Sequence, residues 1–147
     1  MLVRLTYASR SVRPVTNDEL SSLVNVSKLN NFRLGITGIL FYSGGVFLQQ
    51  LEGERTQVNA LYRRILADDM HREVSVVEMV DIPHRYFKNW SMELWAEAAE
   101  HRLIFLKYSN SANFDPFSMS SATLRSVINE IAQDWRWLYK AAVSYMA

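Results

Sequence analysis

Cysteine is missing from the 147-residue sequence. Its absence excludes disulfides, thiolate metal sites and cysteine nucleophiles, and fits a reducing compartment. The three histidines, His71, His84 and His101, fall at no metal-ligand spacing, so no metal is expected. A dominant charge is missing too: 16 basic against 15 acidic residues leave a formal net charge of +1, with no basic run. Neither a nucleic-acid backbone nor an anionic membrane surface is advertised as a partner. No apolar run approaches the roughly 20 residues of a membrane span, and Met1 to Arg13 alternates instead of forming a signal-peptide block. A cytoplasmic protein is the expectation. Also absent are a nucleophile with its base and a glycine-rich anion loop at a helix start, which disfavours an enzyme.

What is present is a chain 49% hydrophobic and 21% charged, enough for one domain with a real core. Leu2 to Ala8 alternates, with Val3, Leu5 and Tyr7 on one face, the period of a strand. Thr16 with Glu19 makes a capping box, and Leu20, Leu23, Val24 and Ser27 repeat at helical spacing, predicting a helix from about Asn17 to Asn30. Gly35 to Tyr42 and Val46 to Leu51 read as two strands joined through Ser43, Gly44 and Gly45. Val58, Leu61, Tyr62 and Ile65 mark a second helix ending near Asp68 and Asp69, and Val74 to Ile82 returns to a strand pattern. The order β, α, β, β, α, β predicts an α+β, ferredoxin-like sheet with both helices on one face, extended by a short fifth strand around Trp90 to Trp95. From Ala96 onward two helical pieces flank the stretch Ser109 to Ser121, and Leu124, Val127, Ile128, Ile131, Trp135, Leu138 and Ala142 form one apolar stripe. A fold of this kind hosts many functions and decides none.

Polar residues at apolar positions are more telling. Alternation places Gln49 between Phe47 and Leu51, and a buried amide without partners costs roughly 1–3 kcal/mol, so a core Gln needs a donor and an acceptor in place. Tyr7 is the candidate. The first helix carries its stripe on through Ser27, Asn30 and Asn31, and Arg64, Asp68 and His71, at spacings of four and three, make a polar row beside Leu61 and Ile65. Two apolar walls ending in amide, carboxylate and imidazole groups suit a flat heteroaromatic ligand. Each residue also has a plain reading: a packing Tyr, an Asn helix cap, a surface Arg and Asp pair, a solvated Gln on an edge strand.

Taken in order, Tyr7, Asn30 and Asn31 ahead of Gly35-Ile36-Thr37-Gly38, Phe47-Leu48-Gln49 with Leu51-Glu52-Gly53, Asp68 with His71, and Trp90-Ser91-Met92 resemble the BLUF family of flavin-using blue-light sensors. The resemblance implies a photosensory domain over residues 1–95 and a C-terminal helical cap or output segment over 96–147, part of the same compact unit. It implies a non-covalent flavin, FAD with FMN as the alternative, its ring between the two helices and flanked by Leu23 and Ile65. Asn31 and Asn30 would bond the pyrimidine edge, with Asp68, Arg64 and His71 near the same rim. One departure stands out: many members carry Arg just before the matching His, and this chain has Met70.

The resemblance further implies that Tyr7 gives an electron to the excited flavin and that Gln49, with both NH2 and C=O, relays a proton and is left rotated or tautomerised. A slight red shift of the absorption band follows. Trp90 and Met92 resemble a switchable pair on the fifth strand, with Ser27 a partner for the Trp. No effector domain follows in the sequence, so the expected output is a homo-oligomer and a separate effector protein whose affinity differs between dark and lit states. Two other classes stay open: a light-insensitive ligand-binding regulatory domain, and a small ferredoxin-like hydrolase.

Overall fold

The alternation at the start of the chain becomes strand β1 (Leu2–Ser11), with Val3, Leu5 and Tyr7 buried on one face and Thr6 and Ala8 buried on the other. In the computed structural model, residues 1–87, 93–96 and 101–133 are described. Trp90 and Met92, and Trp135, Leu138 and Ala142 of the last stripe, lie outside the described residues.

Helix α1 (Asn17–Leu34) starts as expected, the Thr16 hydroxyl accepting the Glu19 N–H at 3.2 Å. Its far end corrects the expectation, because it continues a full turn beyond Asn30. It stops at Gly35, whose left-handed φ of 66° lets its N–H turn back to the Phe32 carbonyl at 3.2 Å. Glycine reaches that conformation without steric penalty, so the helix runs until the first residue able to close it. Asn30 and Asn31 therefore sit within the last turns of the helix and do not cap it.

β2 (Thr37–Ser43) and β3 (Val46–Glu54) form the expected hairpin, with φ of 56° and 80° at Gly44 and Gly45. Positive φ at both central residues is what a two-residue turn between right-twisted strands demands. Helix α2 (Arg55–Leu66) follows directly. Since it ends at Leu66, Arg64, Asp68 and His71 do not share one helical row, as their spacing suggested. Asp68 lies in the turn, where its Oδ1 accepts the Met70 N–H at 2.9 Å and bends the chain away, and His71 opens β4 (His71–Asp81).

The sheet order is β4-β1-β3-β2-β5, antiparallel except that β5 (Glu93–Ala96) runs parallel to β2. Leu20 and Val24 of α1 and Val58 of α2 pack into one buried cluster with Val3, Leu5, Leu40, Phe47 and Leu51 of the sheet. Both helices thus cover one face, the ferredoxin-like α+β arrangement, and each such buried Leu or Val contributes roughly 1.5–3 kcal/mol.

The chain divides into two compact units, Met1–Ala96 and Glu97–Ala147. In the second, α3 (His101–Tyr108) and α4 (Ser121–Ala132) are tied by the Tyr108 hydroxyl donating to Glu130 at 2.6 Å, and the Phe105 and Phe114 rings lie 5.2 Å apart. Leu124, Val127, Ile128 and Ile131 are buried. Among the described residues no helix is long and apolar enough to cross a membrane.

Candidate functional site

Register is what brings the first two functional side chains together. β1 and β3 pair so that Tyr7 stands opposite Gln49, and β2 sets Leu40 on the other side of Gln49. β3 is an inner strand of the sheet, which excludes the solvated-edge reading, and Gln49 is 6% exposed. The Tyr7 hydroxyl donates to Gln49 Oε1. With Oε1 accepting from the phenol, the Gln49 NH2 is the donor end in this arrangement, and because a phenol also accepts, the contact is compatible with either sense of the amide. Gln50, on the opposite face, gives its Nε2 hydrogen to Thr6 Oγ1 at 3.1 Å.

Above Tyr7 and Gln49 opens a cleft of about 560 Å³, its open mouth included. Leu23 of α1 and Leu61 and Ile65 of α2 are its apolar walls, and Leu40 and Phe47 complete the floor. Ser27 and Asn31 come from the last turns of α1, Asp68 and Met70 from the turn after α2, and His71 from the first position of β4. Asn31 is buried, whereas Asn30 and Arg64 are exposed and do not line the cleft. Met70, in place of the Arg that the family resemblance leads one to expect, puts a thioether at the rim. Arg72 does not replace that Arg, being exposed and paired with Glu73 at 3.5 Å.

His71 also holds the rim together. Its Nε2 donates to the Ile65 carbonyl at 2.6 Å, and its Nδ1 lies 2.9 Å from Ser9 Oγ. A carbonyl only accepts, so in the neutral ring the proton sits on Nε2 and Nδ1 receives the Ser9 hydroxyl. The imidazole thereby fastens the end of α2 to β1, a contact for which Ser9 gave no signal in sequence. Tyr62 was legible only as part of an apolar repeat, yet its ring stands 5.7 Å from that of Tyr7.

The Tyr7 hydroxyl is pushed well above the ordinary phenol range, first by burial and then by the neighbouring Tyr62 and Asp68. Tyr7 is therefore protonated at every working pH. The sign of the linkage follows: the folded state holds the proton more tightly than the unfolded chain, whose tyrosines titrate near 10. This contribution to stability is intact below pH ~10 and is lost above it. An alkaline titration followed by tyrosinate absorbance should show Tyr7 ionising only together with unfolding. Ionisation of Tyr7 in the folded protein at the ordinary phenol pH contradicts its burial.

A sheet with two helices on one face and an apolar-walled cleft over a buried Tyr and Gln pair defines a binding domain for a flat, polar-edged ring. The chain belongs to the BLUF family, sensors of blue light using FAD, which matches residues 2–93. It is a flavin-based blue-light photoreceptor, and of the three classes left open by the sequence this is the one that family membership selects. Photoactivated adenylate cyclase subunit beta of Euglena longa is 37% identical over 92 residues, 62% of this chain. The chain spans 11% of that relative's length. The structure of BlsA in its photo-activated state is similar with a TM-score of 0.82 at 28% identity, covering 88% of this chain and 94% of that one. The dark-state structure of BlrB, a BLUF protein, gives a TM-score of 0.68 at 32% identity over 86% of this chain and 94% of its own.

The residues present fit a flavin. Its ring requires two apolar faces, available in Leu23 and Ile65, and donors and acceptors along its edge, available in the amides of Gln49 and Asn31.

Proposed function

We propose that Tyr7 and Gln49 are the switch of this photoreceptor, and that residues 1–95 sense light while residues 96–147 carry the output to an effector protein and to a second copy of the chain. The observation that carries the reading is the hydrogen bond from the buried Tyr7 hydroxyl to Gln49 Oε1. FAD is the resident flavin in this reading, with FMN as the alternative. Leu23 and Ile65 flank its ring, and Asn31 holds the polar edge with Asp68 and His71 at the rim. Asn30 and Arg64, both exposed, have supporting roles at most.

A bound flavin supplies blue-light absorption and, when excited, the power to oxidise a neighbouring phenol. Tyr7 holds its proton in the dark and directs it at Gln49 Oε1. A phenol that has lost an electron is a strong acid, so the proton passes along the hydrogen bond to that oxygen. With a flavin bound, the electron would pass to the flavin and a proton from the Gln49 nitrogen would follow it, leaving the tautomer with O–H as donor and N as acceptor. Alternatively the proton returns to Tyr7 as the electron does, and the neutral amide is left turned about its terminal bond. Either change exchanges the donor and acceptor ends of the amide. The apolar walls keep water from offering competing partners.

A changed amide alters the output only if a partner binds the two states with different affinity. Sedimentation velocity on the purified chain should therefore give different self-association in darkness and under blue light, and Tyr7→Phe should give the dark value under both. Equal self-association of the unsubstituted chain in both conditions contradicts the homo-oligomer part of this reading.

A further inference from the structure

We infer that Glu73, which does not line the cleft, is a positioning residue: its backbone turns His71 instead of Arg72 onto the cleft, and through His71 it fixes the Ile65 wall. The inference rests on the proposed seating of the flavin ring between Leu23 and Ile65.

The alternation of β4 does not lead to His71. On β1, Tyr7, Ser9 and Ser11 succeed one another on the face covered by the helices. Across from them on β4, Val76 stands opposite Tyr7, and Val74 packs against the helix-covered core. By period 2 the next residue on that face is Arg72. Instead Arg72 is exposed and stands opposite Arg10, while His71 stands opposite Ser11 and lines the cleft. The register accounts for the exchange. Ala8 pairs with Ser75 and Arg10 with Arg72, so Ser9 alone on β1 spans both Glu73 and Val74 on β4. This is a β-bulge, and β4 is an edge strand, where bulges are common.

The bulge is made at Glu73, whose φ of 53° is left-handed, the one such value at a non-glycine residue among the described residues. L side chains seldom adopt that conformation, and it persists only where surrounding contacts hold it. Contacts on both faces do so. On the outer face Glu73 Oε2 lies 2.8 Å from Arg10 Nε and 3.5 Å from Arg72 Nη1, a carboxylate set between two cations that stand opposite each other. These pairs are exposed, and such pairs alone contribute little. On the inner face His71 makes its bonds to the Ile65 carbonyl and to Ser9, with its ring edge-on to those of Tyr7 and Phe47. Without the bulge a guanidinium would face those rings, and the end of α2, with Ile65, would lose its tie to β1.

The test compares Glu73→Gly, Glu73→Ala and Glu73→Val in the full chain. Glycine takes a positive φ freely, alanine with strain, and β-branched valine least readily. With isotope-labelled histidine, the Nε2–H of His71 should give a slowly exchanging ring signal, identified by its loss in His71→Gln. Glu73→Gly should keep this signal and bind FAD within about threefold of the unsubstituted chain, although it lacks the carboxylate. Glu73→Val should lose the signal and bind FAD at least about tenfold more weakly, with Glu73→Ala between the two. A merely structural role would lower the unfolding midpoint of Glu73→Val and leave the ring signal in place. Retention of the signal in Glu73→Val, or its loss in Glu73→Gly, overturns positioning by backbone conformation. Should Glu73→Val fail to fold, the other two variants decide, and equal signals in Glu73→Gly and Glu73→Ala overturn it. A lost signal with unchanged FAD affinity overturns the fixing of the Ile65 wall. Failure of the unsubstituted chain to take up FAD sinks the flavin reading, while the ring signals still decide whether Glu73 places His71.

Discussion

Tyr7→Phe should keep its flavin and lose the red-shifted state. The substitution preserves the ring that packs beside Tyr62 and leaves the walls of Leu23, Leu61 and Ile65 untouched, so the cleft stays intact. What disappears is one O–H. A phenyl ring is a far poorer electron donor than a phenol and has no proton to pass to Gln49, so the electron and proton steps both fail. The variant should also lose roughly 1–3 kcal/mol of stability, because the buried Gln49 oxygen loses its Tyr7 donor. Flavin content per chain together with the light-minus-dark spectrum checks the prediction. A normal photocycle in this variant removes Tyr7 from the mechanism.

Gln49→Leu should also abolish the photocycle, and its stability should expose the coupling of the pair. Leucine fills similar space but has neither donor nor acceptor, so the buried Tyr7 hydroxyl loses the acceptor it has in Gln49, again at about 1–3 kcal/mol. Removing both partners is a different matter, since two apolar groups leave no polar atom of the pair buried. Tyr7→Phe combined with Gln49→Leu should therefore cost less than the sum of the single changes, with a coupling of order 1 kcal/mol or more. Denaturant unfolding in the dark with flavin in excess measures all four corners of the cycle. Strict additivity contradicts a direct bond between the two side chains.

Where local chemistry decides the structure, the sequence was readable. Alternation placed Tyr7 on the core side of β1, the Gly44 and Gly45 turn placed the hairpin, and the Thr16 cap started α1. With the hairpin in place, period-2 alternation sufficed to put Gln49 on the same side of the sheet as Phe47 and Leu51. Errors arose where a helix end is set by a single residue. α1 runs on to the left-handed Gly35, and α2 stops at Leu66, so the row drawn through Arg64, Asp68 and His71 divides between a helix, a turn and a strand.

Contacts between distant segments were the least legible. Ser9 meeting His71, Tyr62 beside Tyr7 and Glu52 holding the backbone at residues 86 and 87 depend on strand register and on a crossover path, which no short window of sequence contains. Glu52 did stand within a recognisable Leu51-Glu52-Gly53 run, but alternation reveals only which face a residue takes. It does not reveal that a charged side chain on that face is fully buried.

The central claim is that this cleft holds a flavin whose excitation is converted by Tyr7 and Gln49 into a reversible hydrogen-bond change. The visible absorption spectrum of the purified protein, taken before a blue pulse, directly after it and through recovery in darkness, tests this most directly. A flavin spectrum that shifts slightly to the red and returns in the dark is the expected result. A flavin that only bleaches, or a protein that takes up no flavin when FAD is added, contradicts it.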